Sequence, residues 1–106
     1  MNTIYLIVDR YDHSEFYCIF GKGIYTDEAE ARKDYATELI KFKKFGPDDC
    51  HTFSLFKCTI SDGDLEKLKE YYANYQADDD FAYDPNFIEF MDHLTDVGTE
   101  LDFWTL

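Results

Sequence analysis

Residues 3–9 read TIYLIVD, and this short stretch decides the fold. Ile4, Leu6 and Val8 alternate with Tyr5, Ile7 and Asp9, the period-two pattern of a β-strand. Because both sets are largely apolar, the strand belongs inside a sheet whose two faces are both covered. Residues 16–20, FYCIF, are a second strand of the same kind. The polar link RYDHSE is short enough for an antiparallel hairpin, and Gly21 and Gly23 free the backbone to turn. Helices are expected on one side of this sheet and another cover on the other.

The stretch TDEAEARKDYATELIKFKKF, residues 26–45, is the longest predicted helix. Thr26 and Asp27 are its N-cap candidates, Asp27, Glu28 and Glu30 stand in the first turn, and Lys41, Lys43 and Lys44 in the last. Its charges thus follow the helix macrodipole, which accounts for the basic cluster without a binding role. Ala29, Ala36, Leu39 and Ile40 are the expected buried stripe, and Gly46-Pro47 the stop. Residues 51–60, HTFSLFKCTI, predict a third strand whose alternation changes phase between Leu55 and Phe56, the mark of a bulge or a doubly buried centre. Ser61 or Asp62 caps a second helix with Leu65, Leu68, Tyr72 and Tyr75 inward. ADDD is expected as a loop. Pro85 stands near the start of a third helix, which turns Phe87, Phe90, Met91 and Leu94 inward and ends at Gly98. ELDFWTL forms a fourth strand or a docked tail. The chain is therefore expected to be one α+β domain over residues 1–106, in the order β-β-α-β-α-α with an optional C-terminal strand and a mainly antiparallel sheet.

The composition permits a true core: 106 residues, 45% hydrophobic, with 20 aromatic residues and only 2 prolines. The formal charge of -13 is unevenly spread. Residues 1–50 carry a net -3 and residues 51–106 a net -10. From Glu70 to the end there are ten carboxylates and no lysine or arginine: Glu70, Asp78, Asp79, Asp80, Asp84, Glu89, Asp92, Asp96, Glu100 and Asp102. Tyr71, Tyr72, Tyr75, Phe81, Tyr83, Phe87, Phe90, Phe103 and Trp104 run among them. A field of this sign repels nucleic acid and anionic membranes and attracts basic proteins. On the third helix Glu89, Asp92, Asp96 and, if the helix continues, Glu100 share one face. The expected partner-binding set is Asp78, Asp79, Asp80, Phe81, Tyr83, Asp84, Glu89, Asp92, Asp96, Glu100 and Asp102.

In its compactness, its acidity and its interleaving of acids with aromatics, the chain resembles the small acidic DNA-mimic inhibitors that phages and mobile elements use against restriction and CRISPR enzymes. That resemblance implies a non-enzymatic inhibitor that occupies the basic nucleic-acid groove of its target. An immunity or antitoxin-like partner of a basic toxin would use the same surface. A domain whose charge only keeps it dispersed is the competing expectation.

Motifs that carry chemistry are lacking. Asp78, Asp80, Asp84 and Glu89 fall at positions 1, 3, 7 and 12 of a calcium loop, but Tyr83 stands where the turn needs glycine. Cys18, Cys50, His51 and Cys58 have no zinc spacing, and three cysteines suit a reducing cytoplasm. His13 beside Asp12, and His93 beside Asp92, are sequence neighbours rather than working pairs. No catalytic residue, metal or cofactor is expected. The apolar run Ile4 to Val8, ended by Asp9 and Arg10, lacks the basic flank of a signal peptide, and no stretch is long enough to span a membrane.

Overall fold

The computed structural model describes residues 1–11, 16–46 and 51–105. The elements run β1 (Asn2–Tyr11), β2 (Tyr17–Ile19), α1 (Glu28–Phe45), β3 (His51–Ile60), α2 (Asp62–Ala77), a 3₁₀ helix (Asp79–Tyr83), α3 (Pro85–Val97) and β4 (Thr99–Thr105). This is the predicted α+β order with the fourth strand formed; ADDD is not the expected loop, since Ala77 ends α2, Asp78 caps the 3₁₀ helix, and Asp79 and Asp80 open it. All four strands are antiparallel, in the order β2-β1-β3-β4. The second strand is shorter than the sequence suggests. Pro47, Cys50, Asp12, His13 and Leu106 lie outside the described residues.

β1 is a central strand and is buried on both faces. Ile4, Leu6 and Val8 join Tyr17, Ile19, Phe56, Cys58 and Ile60 in one cluster, which α2 and α3 cover with Leu68, Phe87, Phe90, Met91 and Leu94. Tyr5 and Ile7 join Phe53 and Leu55 in the other, which α1 covers with Ala31, Tyr35 and Phe42. The sheet is therefore the middle of three layers. Both covers are helical, α1 on one face and α2 with α3 on the other, whereas the sequence suggests a cover of another kind on one side; two apolar faces on β1 demand two covers, and the chain supplies a helical layer for each.

The buried stripe of α1 differs from the one expected. Ala29, Ala36 and Ile40 are exposed and Leu39 is half-buried, whereas Ala31, Tyr35 and Phe42 face the sheet. Aromatic stacking sets this choice. Phe42 and Tyr35 lie over Phe53 with ring centroids 4.7 and 5.5 Å away, and the Tyr35 hydroxyl donates to the Phe53 carbonyl at 3.0 Å. Such ring contacts add to the area that each side chain buries, while the aliphatic Ile40 offers no comparable geometry.

The phase change in β3 has a visible cause. Leu55 pairs with Asp102 and Phe56 with Glu100, so Leu101 is an extra residue and the bulge belongs to β4. β3 itself pairs with β1 without interruption, and its centre is buried on both sides. At the entry to β4, a Cβ on Gly98 would lie 2.8 Å from the Leu94 carbonyl oxygen and 2.9 Å from Cys58 Sγ, which explains why the end of α3 needs a residue without a side chain.

Phe42→Ala, at a side chain buried against the sheet, should cost about 3–5 kcal/mol. Ile40→Ser, at a side chain 57% exposed, should change stability by no more than about 0.5 kcal/mol. Urea unfolding of the two variants checks the assignment, since the sequence-based stripe reverses the order.

Candidate functional site

The helices that carry the acids are positioned by their caps. Ser61 Oγ accepts from the Asp64 amide at 3.1 Å and starts α2. Asp78 accepts from the Asp80 amide at 3.0 Å and starts the 3₁₀ helix. Asp84 accepts from the amides of Asn86 and Phe87 at 2.9 and 3.1 Å and starts α3, with Pro85 in the first turn. Two of the expected surface acids are thus also helix caps, each satisfying backbone donors that would otherwise be unpaired.

Residues 61–98, which contain α2, the 3₁₀ helix and α3, hold eleven acids and two lysines. On the other side of the sheet, α1 holds four acids and five basic residues. The sheet consequently separates a strongly anionic layer from a nearly neutral one. Glu100 belongs to the anionic side, because its β3 neighbour Phe56 packs in that core and its carboxylate accepts from Ser54 Oγ at 2.6 Å. It is a β4 residue and does not extend the α3 face. Asp102 points the other way, because its partner Leu55 packs in the α1-side core; burial first, and then both Asp102 and Glu100, raise the pKa of the Tyr35 hydroxyl.

Asp79 and Asp80 are exposed beside Tyr83, in a shallow cleft with Phe16 and Tyr75. Glu89 lines the groove between α2 and α3 with Lys67 and His93. Asp92 and Asp96 line a polar cleft with Arg10, His93 and Thr95. The absence of basic residues after Glu70 therefore does not carry over fully into space, since Arg10 and Lys67 come in from β1 and α2. Phe81 is half-buried against Phe87 at 5.2 Å and belongs to the packing of the layer. Tyr83 is exposed and its ring meets Phe16 at 5.3 Å.

Among the described residues, no acid from Glu70 to Asp102 forms an ion pair. The acids of α1 behave differently: Glu28 pairs with Arg32, Glu30 with Lys22 and Glu38 with Lys41. Asp92 instead accepts a short hydrogen bond from the buried Tyr17 hydroxyl. Burial first, and this carboxylate second, push the Tyr17 hydroxyl up to about 12.

One polar pair was not anticipated. Asp9 continues the phase of Tyr5 and Ile7 into the α1 face and is buried, and both its oxygens lie 3.0 Å from His51 Nδ1. Asp9 pairs in register with Phe53, so His51 is its diagonal neighbour on the same face. Burial raises the carboxyl's pKa, and the hydrogen bond and charge of His51 oppose that rise. The signal in the sequence was a carboxylate at a position that alternation buries, matched by a histidine in phase with Phe53 and Leu55.

The arrangement offers little to a metal. His51 faces α1 while Cys58 faces α3, where its thiol donates to the Leu94 carbonyl, so β3 keeps them apart. Among the described residues no group of three or more His, Cys, Asp or Glu is placed to hold an ion, and no helix is long and apolar enough to cross a membrane. No protein-family model matches the chain, and no curated protein or solved structure matches it.

Loss of the Tyr17 hydroxyl should show in alkali. Its folded pKa lies above the free value of 10.0, so its contribution is complete below pH 10 and is lost as pH rises towards about 12. Each tenfold difference in proton affinity between the folded and unfolded chain is worth about 1.4 kcal/mol. Tyr17→Phe should cost about 1.5–3 kcal/mol at neutral pH, since it removes a hydrogen bond to a charged group, and should flatten the decline above pH 10. Denaturant unfolding at both pH values tests this; an unchanged alkaline slope would assign the decline to other tyrosines.

Proposed function

We propose that this protein is a non-enzymatic inhibitor that binds a basic protein through its α2–α3 layer. In this reading it acts as a DNA mimic in the nucleic-acid groove of a defence nuclease, of the anti-CRISPR or anti-restriction type. The observation that carries the proposal is the unequal charge of the two helical layers, eleven acids to two lysines on one side and four acids to five basic residues on the other. Acids needed only for dispersal would be expected on both. Among the described residues the acids from Glu70 to Asp96 form no ion pair, although Glu66 pairs with Lys69 in the same layer, and their charge is left for a partner, whereas three of the four acids of α1 are paired.

Spacing sets the form of the mimicry. From Asp84 to Asp96 a helix rises about 18 Å at ~1.5 Å per residue, roughly one acid per 6 Å, whereas a single DNA strand carries a phosphate about every 3.4 Å. α3 alone gives about half that density. Asp79 and Asp80 at one end, and Glu70 on the adjacent helix, add the remaining charge, so the groove is filled by the layer rather than by one helix. Tyr83 supplies an exposed aromatic anchor at the acidic end. Thiol chemistry has no place in this reading, because burial pushes Cys18 and Cys58 up to about 11 and keeps them protonated.

The test is retention of host proteins on the immobilised chain at low salt. Nucleic-acid-binding proteins should be retained, should elute early in a salt gradient, and should be released by added duplex DNA. Partners that DNA fails to displace would end the mimic reading. Changing Asp79, Asp80 and Asp96 to Asn together with Glu89 to Gln should weaken binding by about tenfold or more. The fold should survive, because the change removes like-charge repulsion of roughly 0.2–0.5 kcal/mol per neighbouring pair; Asp84 and Asp92 are left alone because they hold backbone amides and Tyr17. Undiminished binding by this variant would remove the acidic layer from the interaction.

A further inference from the structure

The α1 side of the sheet contains a further cleft, which borders the acidic layer at Phe16, whose other side meets Tyr83. It has a volume of about 600 Å³ and is walled by Phe16, Phe20, Phe42, Phe45 and Cys18, with Asp9 and His51 as its principal polar groups. Glu38 and Lys41 stand there too, paired with each other at 3.5 Å, so their charges largely cancel. Ligand cavities are commonly about 300–1,000 Å³, mainly apolar, with a few placed polar groups that fix orientation. This cleft has that size and that make-up.

The Asp9–His51 pair gives the cleft its chemistry. A carboxylate accepts hydrogen bonds, and both Asp9 oxygens are 3.0 Å from Nδ1, so Nδ1 carries the proton and donates it. In the neutral ring, Nε2 is then left with a lone pair. The ring is held edge-on between Tyr11, Phe16 and Phe42, with centroids 5.4 to 5.9 Å away, which fixes its orientation. An apolar residue at position 9 would simply have continued the stripe of Tyr5 and Ile7. The sequence instead places a carboxylate there, only 3% exposed, whose effect is to orient an imidazole at the wall of an aromatic cavity.

We propose that this cleft binds a small neutral aromatic molecule bearing one hydroxyl or N–H donor. The aromatic body lies among the four phenylalanines and the donor meets His51 Nε2. A carboxylate-bearing ligand is disfavoured, because it would set a second anion near Asp9 and present no donor to the lone pair.

The experiment is an NMR titration of the full chain with 2-naphthol and with its methyl ether, which keeps the aromatic body and removes only the donor. 2-Naphthol should bind roughly five- to tenfold more tightly, the effect of one hydrogen bond, and should shift the ring nitrogen signals of His51. Phe45→Ser changes a side chain that is 80% exposed, so the fold is retained, and it should weaken both probes. Equal affinity for the two compounds, shifts that map away from His51 and Phe42, or full binding by Phe45→Ser would each overturn the proposal. Since none of the acids from Glu70 to Asp102 lines this cleft, such a failure would leave the reading of that layer untouched.

Discussion

The constraint on which everything else depends is that β1 cannot be wet on either face. Five consecutive buried apolar residues, Ile4 to Val8, alternate by the pleat into two separate cores. A central strand of this kind requires two covers, and the chain supplies them from different segments: α1 between β2 and β3, then α2 and α3 between β3 and β4. Each cover has its own aromatic packing, centred on Phe53 on one side and on Phe87 on the other. Neither cover is adequate alone, because removing either would expose half of β1.

Two independent covers also allow two different surfaces. Charges of both signs are balanced on α1, and three of its four acids are ion-paired, which suits a solvated cover. The α2–α3 layer tolerates like charges because each neighbouring pair costs only a fraction of a kcal/mol, whereas the core beneath it buries Leu68, Phe87, Met91 and Leu94 completely. Burying one such side chain contributes about 1.5–3 kcal/mol. Packing thus outweighs repulsion, and the polyanionic layer persists with few counter-ions, Lys69 paired with Glu66 and Arg10 and Lys67 lying among the acids. The sheet between the layers keeps the lysines of α1 from neutralising it.

Much of this was legible in the chain. Strand alternation identified β1 and β3, the Ser61 cap and Gly98 stop marked helix ends, and all four inward residues of α3 followed from spacing. The phase change at Leu55 and Phe56 correctly signalled an irregularity, although pairing alone reveals that the extra residue is Leu101 on the partner strand. What failed was the face of α1, where weak amphipathicity left aliphatic and aromatic stripes in competition and stacking on Phe53 decided the outcome. The acidic surface was legible as composition but not as geometry. Glu100 leaves the helix, Asp102 turns to the other face, Asp92 is held by Tyr17, and Arg10 arrives from a distant strand. The Asp9–His51 pair depended on the β1–β3 register, which one strand read alone cannot supply.

The Leu101 bulge has a consequence for how the molecule avoids its own kind. β4 forms one rim of the sheet, and a rim strand offers main-chain groups to which a stray strand could add. The extra residue breaks the regular repeat of those groups halfway along, and Glu100 and Asp102 place a carboxylate on each face beside the break. At the opposite rim, β2 is only three residues long and offers little template. A chain with 45% hydrophobic residues and two open sheet margins is thereby guarded against fibrous self-assembly by local geometry and charge.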